Sequence, residues 1–303
     1  MAGQMRVMNA KALIGVGSLA FLGVVFGFLW LGRVAFAQAP RQIAYGPEVK
    51  QFGELSLPLE PGSHPVIILI HGGAWQSNAN LTYTRPVAAD LAKRGFAVWN
   101  IEYRAIGDKG GGFPGTFLDV GTATDYLREL AKTKPLDLSR VIVVGHSAGG
   151  LLAMWVAGRE RLPTSSPLYK FDILPIRGVV DLAGPPNLNT HYTPANEWGG
   201  PGTIGKLIGL QTRGFDAALK DTSPAEMLPL GVKQVLVFGS LDEIVPADHG
   251  YLYQRDAAAK GENVDLRIIP GARHDDFMAP GTKAWNESLA AIRSIGTPIA
   301  PAR

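Results

Sequence analysis

The 303-residue chain has no cysteine. That single absence removes a disulfide scaffold, a thiolate zinc site, an iron–sulfur cluster and a cysteine nucleophile. It leaves the compartment open, because a domain of this size folds without disulfides even when exported. Charge is sparse as well, 18% of residues against 46% hydrophobic. This is the balance of a globular chain and excludes disorder, collagen-like repeats and coiled coil. A basic surface is also lacking. The formal charge of +3 sits in the first 37 residues, where Arg6, Lys11 and Arg33 stand without an acid, and the remainder holds 26 basic and 26 acidic residues. With no stripe of Lys or Arg, nucleic acid is set aside as a partner.

What is present begins with the N-terminus. Two positive charges precede Ala12–Gly32, a run of 21 residues without a charge, and Ala35-Phe36-Ala37 then places small residues where an A-x-A cleavage site needs them. The run is also long enough to span a bilayer. Two readings stand side by side: a signal peptide over residues 1–37, or an uncleaved membrane anchor over residues 12–32. Both place the rest of the chain away from the cytoplasm, periplasmic or secreted, with the membrane a partner only through this segment.

Residues 38–303 read as one α/β domain. Short β-branched runs alternate with amphipathic stretches: strands near Leu55–Leu59, at Pro65–Ile70, Phe96–Ile101, Val141–Val144, Ile176–Leu182, Gln234–Phe238 and Leu266–Ile269, and helices at Leu81–Arg94, Thr116–Lys132, Ala148–Glu160 and Lys283–Ile295. Continuous apolar strands between helices imply a mostly parallel sheet covered on both faces. One long interruption, about residues 184–230, is rich in Pro, Gly and Asn, with one helical piece around Ile204–Leu219, and reads as a short lid insertion. Gly110-Gly111-Gly112 does not lead from a strand into a helix, so it reads as a flexible turn and not as a phosphate cradle.

The chemistry centres on Gly145-His146-Ser147-Ala148-Gly149, a G-x-S-x-G between the strand VIVV and an apolar helix. Strand, tight turn and helix are the setting of a nucleophile elbow, which lifts a serine to the tip of a sheet. A nucleophilic serine needs a base. Of the six histidines, His274 alone lies in a loop after the last strand, where it can reach over the sheet edge; His64, His71, His146, His191 and His249 lie elsewhere. The base needs a carboxylate to hold its tautomer. Asp242 follows the strand QVLVF at the same sheet end and is preferred to Glu243 and Asp248. The order Ser147, Asp242, His274 is that of one hydrolase fold. His71-Gly72-Gly73-Ala74-Trp75 directly follows the strand PVIILI, and the N–H groups of Gly73 and Ala74, with that of Ala148, form a candidate oxyanion hole. Trp75 either walls a substrate pocket or packs, and the same choice applies to Trp198, His191, Tyr192, Ile208 and Phe215 of the insertion. No metal is expected, since no second ligand falls at ligand spacing from His71.

Together HGGAW, NIEYR, FPGTFLDV, GHSAGG, SPAEML, GSLDEIVP and GARHDDF span about residues 65 to 277 and resemble serine esterases of the α/β-hydrolase fold. The resemblance is strongest to the group with an HGGxW motif, which includes carbohydrate and feruloyl esterases and kynurenine-formamidase-like enzymes. It implies an α/β-hydrolase fold, structural roles for Pro114 and Asp119, and a small-molecule ester or acylated carbohydrate as substrate, without a cofactor. The expected reaction is ester cleavage through an acyl-serine. Arylformamidase activity is the alternative, and a binding protein that lost catalysis the third reading. Asp275 and Asp276, beside the candidate base, have no counterpart in that pattern.

Overall fold

Strands with long apolar runs cannot face water on either side, and β3 (His64–Ile70) is the extreme case: Val66 through Ile70 have no exposure at all. Each such Val or Ile contributes about 1.5–3 kcal/mol when fully buried. The computed structural model describes residues 40–190 and 198–296. They lie in a unit that begins at Pro40. The N-terminal segment expected to be a signal peptide or anchor, and His191 and Tyr192, fall outside the described residues. No described helix is long and apolar enough to cross a membrane.

In chain order the strands are β1 (Arg41–Ala44), β2 (Phe52–Ser56), β3, β4 (Ala97–Ile101), β5 (Leu136–His146), β6 (Gly178–Leu182), β7 (Lys233–Gly239) and β8 (Val264–Ile269). They form one sheet in the order β1-β2-β4-β3-β5-β6-β7-β8. The first two pairings are antiparallel and the rest parallel. Because β3 lies between β4 and β5, the chain reverses direction across the sheet there. The loops after β3 and β5 therefore diverge and leave a crevice at the carboxyl ends of the strands.

The helices are α1 (Arg85–Lys93), α2 (Gly115–Asp125), α3 (Leu127–Ala131), α4 (Ala148–Gly158), α5 (Thr203–Ile208), α6 (Leu210–Arg213), α7 (Phe215–Leu219), α8 (Asp248–Ala259) and α9 (Lys283–Gly296). Every residue of α4 is buried, which suits its apolar circumference. Phe117 of α2 packs its ring 5.0 Å from that of Trp155 of α4. Trp285 of α9 donates its indole N–H to Asp90 of α1 at 2.7 Å.

Three sequence expectations need correction. The first strand lies at Phe52–Ser56, not Leu55–Leu59, and β1, too polar to announce itself, pairs beside it. The helix expected over Thr116–Lys132 is two, separated at Tyr126, whose ring stacks on Trp99 at 6.3 Å. The helical piece around Ile204–Leu219 is three short helices, broken by Gly209 and Gly214 at φ 71° and 72°. Left-handed glycines end a helix. Elsewhere the termini shift by a few residues, most at β5, which begins at Leu136. The glycine run is a packed turn: a Cβ on Gly111 would stand 1.8 Å from the Ala105 carbonyl oxygen.

A buried ion pair locks α2 to the end of α4. Arg159 donates to both carboxylate oxygens of Asp125, at 3.0 and 2.8 Å, and Lys170 and the Leu174 N–H also reach that carboxylate. Burial alone would raise the Asp125 pKa, but these donors, Arg159 first, hold it below its ordinary 3.8. Its stabilising contribution is then complete above pH 3.8 and is lost as pH falls through the lowered value. Asp125→Ala strands a buried guanidinium and should cost about 3–5 kcal/mol in urea denaturation at pH 7. Its stability should fall less steeply below pH 4 than the wild type's.

Candidate active site

Ser147 lies between β5 and α4 at φ 55°, ψ −126°, a backbone conformation rare for a residue with a Cβ. Glycines on both sides permit it. A Cβ on Gly145 would come within 2.0 Å of the Gly149 carbonyl oxygen, and one on Gly149 within 2.3 Å of that of Ile70. The Ser147 N–H donates to the Leu182 carbonyl at 2.9 Å, pinning the turn to the end of β6. Ser147 therefore stands at the N-terminal end of α4, where the helix dipole favours negative charge.

His274 follows β8 and Asp242 follows β7. His274 Nδ1 donates to Asp242 Oδ2 at 2.7 Å, and Oδ1 accepts the N–H groups of Ile244 and Val245, both at 2.9 Å. A carboxylate oxygen accepts, so Nδ1 is the donor of that pair and Nε2 is left as the other ring nitrogen. Glu243 and Asp248, the two rival acids, are exposed. Ser147 and His274 line one cavity of about 610 Å³, joined there by Gly73, Ala74 and Ala148. No hydrogen bond links the Ser147 hydroxyl to His274 among the described residues; such contacts often tighten only when substrate binds.

Ala74 and Trp75 also adopt positive φ, 50° and 56°, as does Gly73 at 101°. Neither the Gly73 nor the Ala74 N–H is consumed by a hydrogen bond within the described residues. Trp75 fills both roles left open by the sequence: its ring walls the cavity, and its indole N–H donates to the Ala148 carbonyl at 3.0 Å. Trp198 lies edge-on to it at 6.5 Å, lines the same cavity and donates to the Ile244 carbonyl at 2.8 Å. Ile208 is buried away from the cavity wall, and Phe215 packs against the core.

Several members were not legible in the sequence. Tyr83 belongs to no motif yet lines the cavity, as do Pro185 and Met278. Glu102 of the NIEYR stretch lies under the HGGAW loop. It meets His71 Nε2 at 3.1 Å and accepts the Leu81 N–H at 3.1 Å. Burial pushes its pKa up, but the His71 hydrogen bond and charge outweigh that and leave it below 4.5. Asp119 takes a bidentate contact from Arg104 at 2.8 and 2.7 Å and a hydrogen bond from Gln51 at 2.6 Å. Asp276 caps its own loop by accepting the Arg273 N–H at 2.8 Å, whereas Asp275 is exposed and faces the cavity.

The sheet and site together define an α/β-hydrolase. Residues 55–256 match the BD-FAE family, and the chain belongs to it. It is 24% identical over 254 residues to esterase LipC of Mycobacterium tuberculosis, covering 80% of this chain and 61% of that one, so it spans about three fifths of that relative's length. Esterase B of Lactobacillus rhamnosis shares the fold with a TM-score of 0.72 at 19% identity, covering 85% of each chain. A truncated carbohydrate esterase from gut microbiota superposes with a TM-score of 0.69 at 20% identity, covering 86% of this chain and all of that one.

Asp181 of β6 sits beneath the serine turn. It has no exposure; Oδ1 accepts the Gly184 N–H at 2.7 Å, and Oδ2 has no hydrogen-bond partner among the described residues. Burial pushes its carboxyl up to about 7. Unfolded, it ionises near 3.8, so folding takes up a proton between those values and stability falls as pH rises through the window. Between pH 5 and 7 this amounts to roughly 2–3 kcal/mol. Urea denaturation of Asp181→Asn should show that slope removed; curves parallel to wild type would place the ionisation elsewhere.

Proposed function

We propose that the chain is a serine hydrolase that cleaves carboxylic esters. The observation that carries this is the Asp242–His274 hydrogen bond at a cavity that Ser147 also lines. His274 Nε2 takes the Ser147 proton as Oγ attacks the substrate carbonyl, and Asp242 holds the imidazolium that forms. The N–H groups of Gly73, Ala74 and Ala148 receive the oxyanion. His274 then protonates the departing alcohol, and water, activated by the same base, releases the acid from Ser147.

A largely apolar wall with Trp75, Trp198, Ile244 and Met278 suits an organic acyl or alcohol group and exceeds what a formyl group requires. That supports ester cleavage, with arylformamidase activity as the second reading. The presence of all three reacting side chains weighs against an inactive binding protein. Small esters and acylated carbohydrates are the proposed substrates; the likeness to a carbohydrate esterase supports the latter. The charge-flanked apolar run and Ala35-Phe36-Ala37 support export or attachment to a membrane by residues 12–32.

The test is turnover of p-nitrophenyl acetate, butyrate and octanoate and of N-formylkynurenine by the full chain. Esters should be hydrolysed and the formamide poorly. Ser147→Ala should lower ester turnover by at least about 10³-fold and abolish labelling by a fluorophosphonate. Ester hydrolysis that survives Ser147→Ala, or dominant formamide turnover, would overturn the reading.

A further inference from the structure

Tyr83 stands where three loops of the site meet. It lies on a short 3-10 turn, Leu81–Thr84, held by Glu102 at the Leu81 N–H and by Asn80, whose side chain accepts the Thr82 N–H at 2.9 Å. The tyrosine hydroxyl accepts the Gly72 N–H, at the start of the loop that carries Gly73 and Ala74. It also lies 3.2 Å from His146 Nδ1. The Gly72 N–H takes one lone pair of that oxygen and leaves its single hydrogen free to donate. Burial raises the Tyr83 pKa and keeps that hydrogen in place. His146 Nε2 lies 2.9 Å from the His274 carbonyl oxygen, which only accepts, so the neutral ring carries its hydrogen on Nε2 and receives the phenolic one at Nδ1. Burial first, and the neighbouring His274 second, push the His146 pKa down to about 3, so the ring is neutral. Its centroid lies 4.7 Å from that of His274.

Each donor in this chain meets an acceptor, and the direction is fixed from one end to the other. It starts at the oxyanion loop after β3, passes through the residue before Ser147 and ends on the backbone of the candidate base after β8. We propose that Tyr83 is a positioning residue for the reaction, holding the oxyanion loop directly at Gly72 and His274 through His146, in register around Ser147. The inference rests on the ester-hydrolase reading above. Without the phenolic hydrogen, His146 Nδ1 is left buried with no donor and the ring loses one of its two anchors. The ring is then free to turn from the His274 carbonyl, and the loop that aims His274 at Ser147 would lose its tie. A neutral His146 also adds no repulsion when His274 becomes an imidazolium.

The experiment uses the full chain with p-nitrophenyl butyrate. Tyr83→Phe keeps the ring and removes only the hydroxyl. It should lower kcat about 10- to 100-fold with KM within about twofold, as expected for misplacement of reacting groups. The rate of fluorophosphonate labelling at Ser147 should fall by the same factor. His146→Gln, which retains an N–H for the His274 carbonyl, should keep more of kcat than His146→Leu. Tyr83→Phe added to His146→Leu should cause less loss than it causes alone, the remainder being its direct contact with Gly72. Nitrogen NMR of the histidine rings should show His146 as the Nε2–H tautomer in the wild type, with its Nδ1 resonance shifted in Tyr83→Phe as that hydrogen bond is lost; this readout decides the matter if His146→Leu does not fold. A Tyr83→Phe variant that raises KM with kcat unchanged would make Tyr83 a substrate contact and overturn the proposal. So would losses that multiply in full in the double variant, or an unchanged His146 Nδ1 resonance. A wild-type chain that neither turns over esters nor labels would remove the ester-hydrolase reading and this inference with it, whereas turnover indifferent to Tyr83→Phe would remove the inference alone.

Discussion

Parallel strand pairing is the constraint on which the rest of this structure depends. From β3 through β8 the core strands point the same way, so every loop that leaves a strand's carboxyl end emerges on one edge of the sheet. HGGAW after β3, the serine turn after β5, Asp242 after β7 and His274 after β8 are separated by up to about two hundred residues of chain, yet they share that edge. The reversal of strand order between β3 and β5 opens the crevice into which they point.

A site built this way is costly to hold together, because it concentrates polar backbone and strained dihedrals in one place. The structure meets that cost with glycine and with directed hydrogen bonds. Gly145 and Gly149 let strand and helix approach closely enough to force Ser147 into its positive-φ turn. The Trp75 indole then ties the HGGAW loop to the first carbonyl of α4. Buried titratable groups divide by partner: Asp125 and Glu102 meet several donors and stay below their ordinary carboxylate values, whereas Asp181 meets only the Gly184 N–H and is raised by burial, and burial keeps His146 neutral. Asp242 is the carboxylate bonded to the His274 ring.

Much of the fold was legible because burial imposes a pattern on the chain. The runs PVIILI and VIVV leave no doubt about strands buried on both faces, and α9 repeats its buried residues at helical spacing. Polar edges were not legible. β1 has the sequence RQIA and is largely exposed, so no hydrophobic period marks it. The division of the expected helix at Tyr126 lacks even a glycine or proline as a signal. Glycines at 209 and 214 did carry a signal, since a left-handed residue ends a helix, but glycine in a helical run does not state its own φ.

At the site the same boundary holds. The sequence alone determined the buried strands, the serine turn with its glycines, and the residue types and order of Ser147, Asp242 and His274, because local sterics and alternation of strand and helix act over a few residues at a time. Only the tertiary structure decided that Asp242, rather than Glu243 or Asp248, meets His274, that Trp75 both packs and lines the cavity, and that Tyr83 joins Gly72 to His146. Those contacts depend on where side chains from distant strands arrive in space, and hydrogen-bond geometry, accurate to tenths of an ångström, is written in no local pattern.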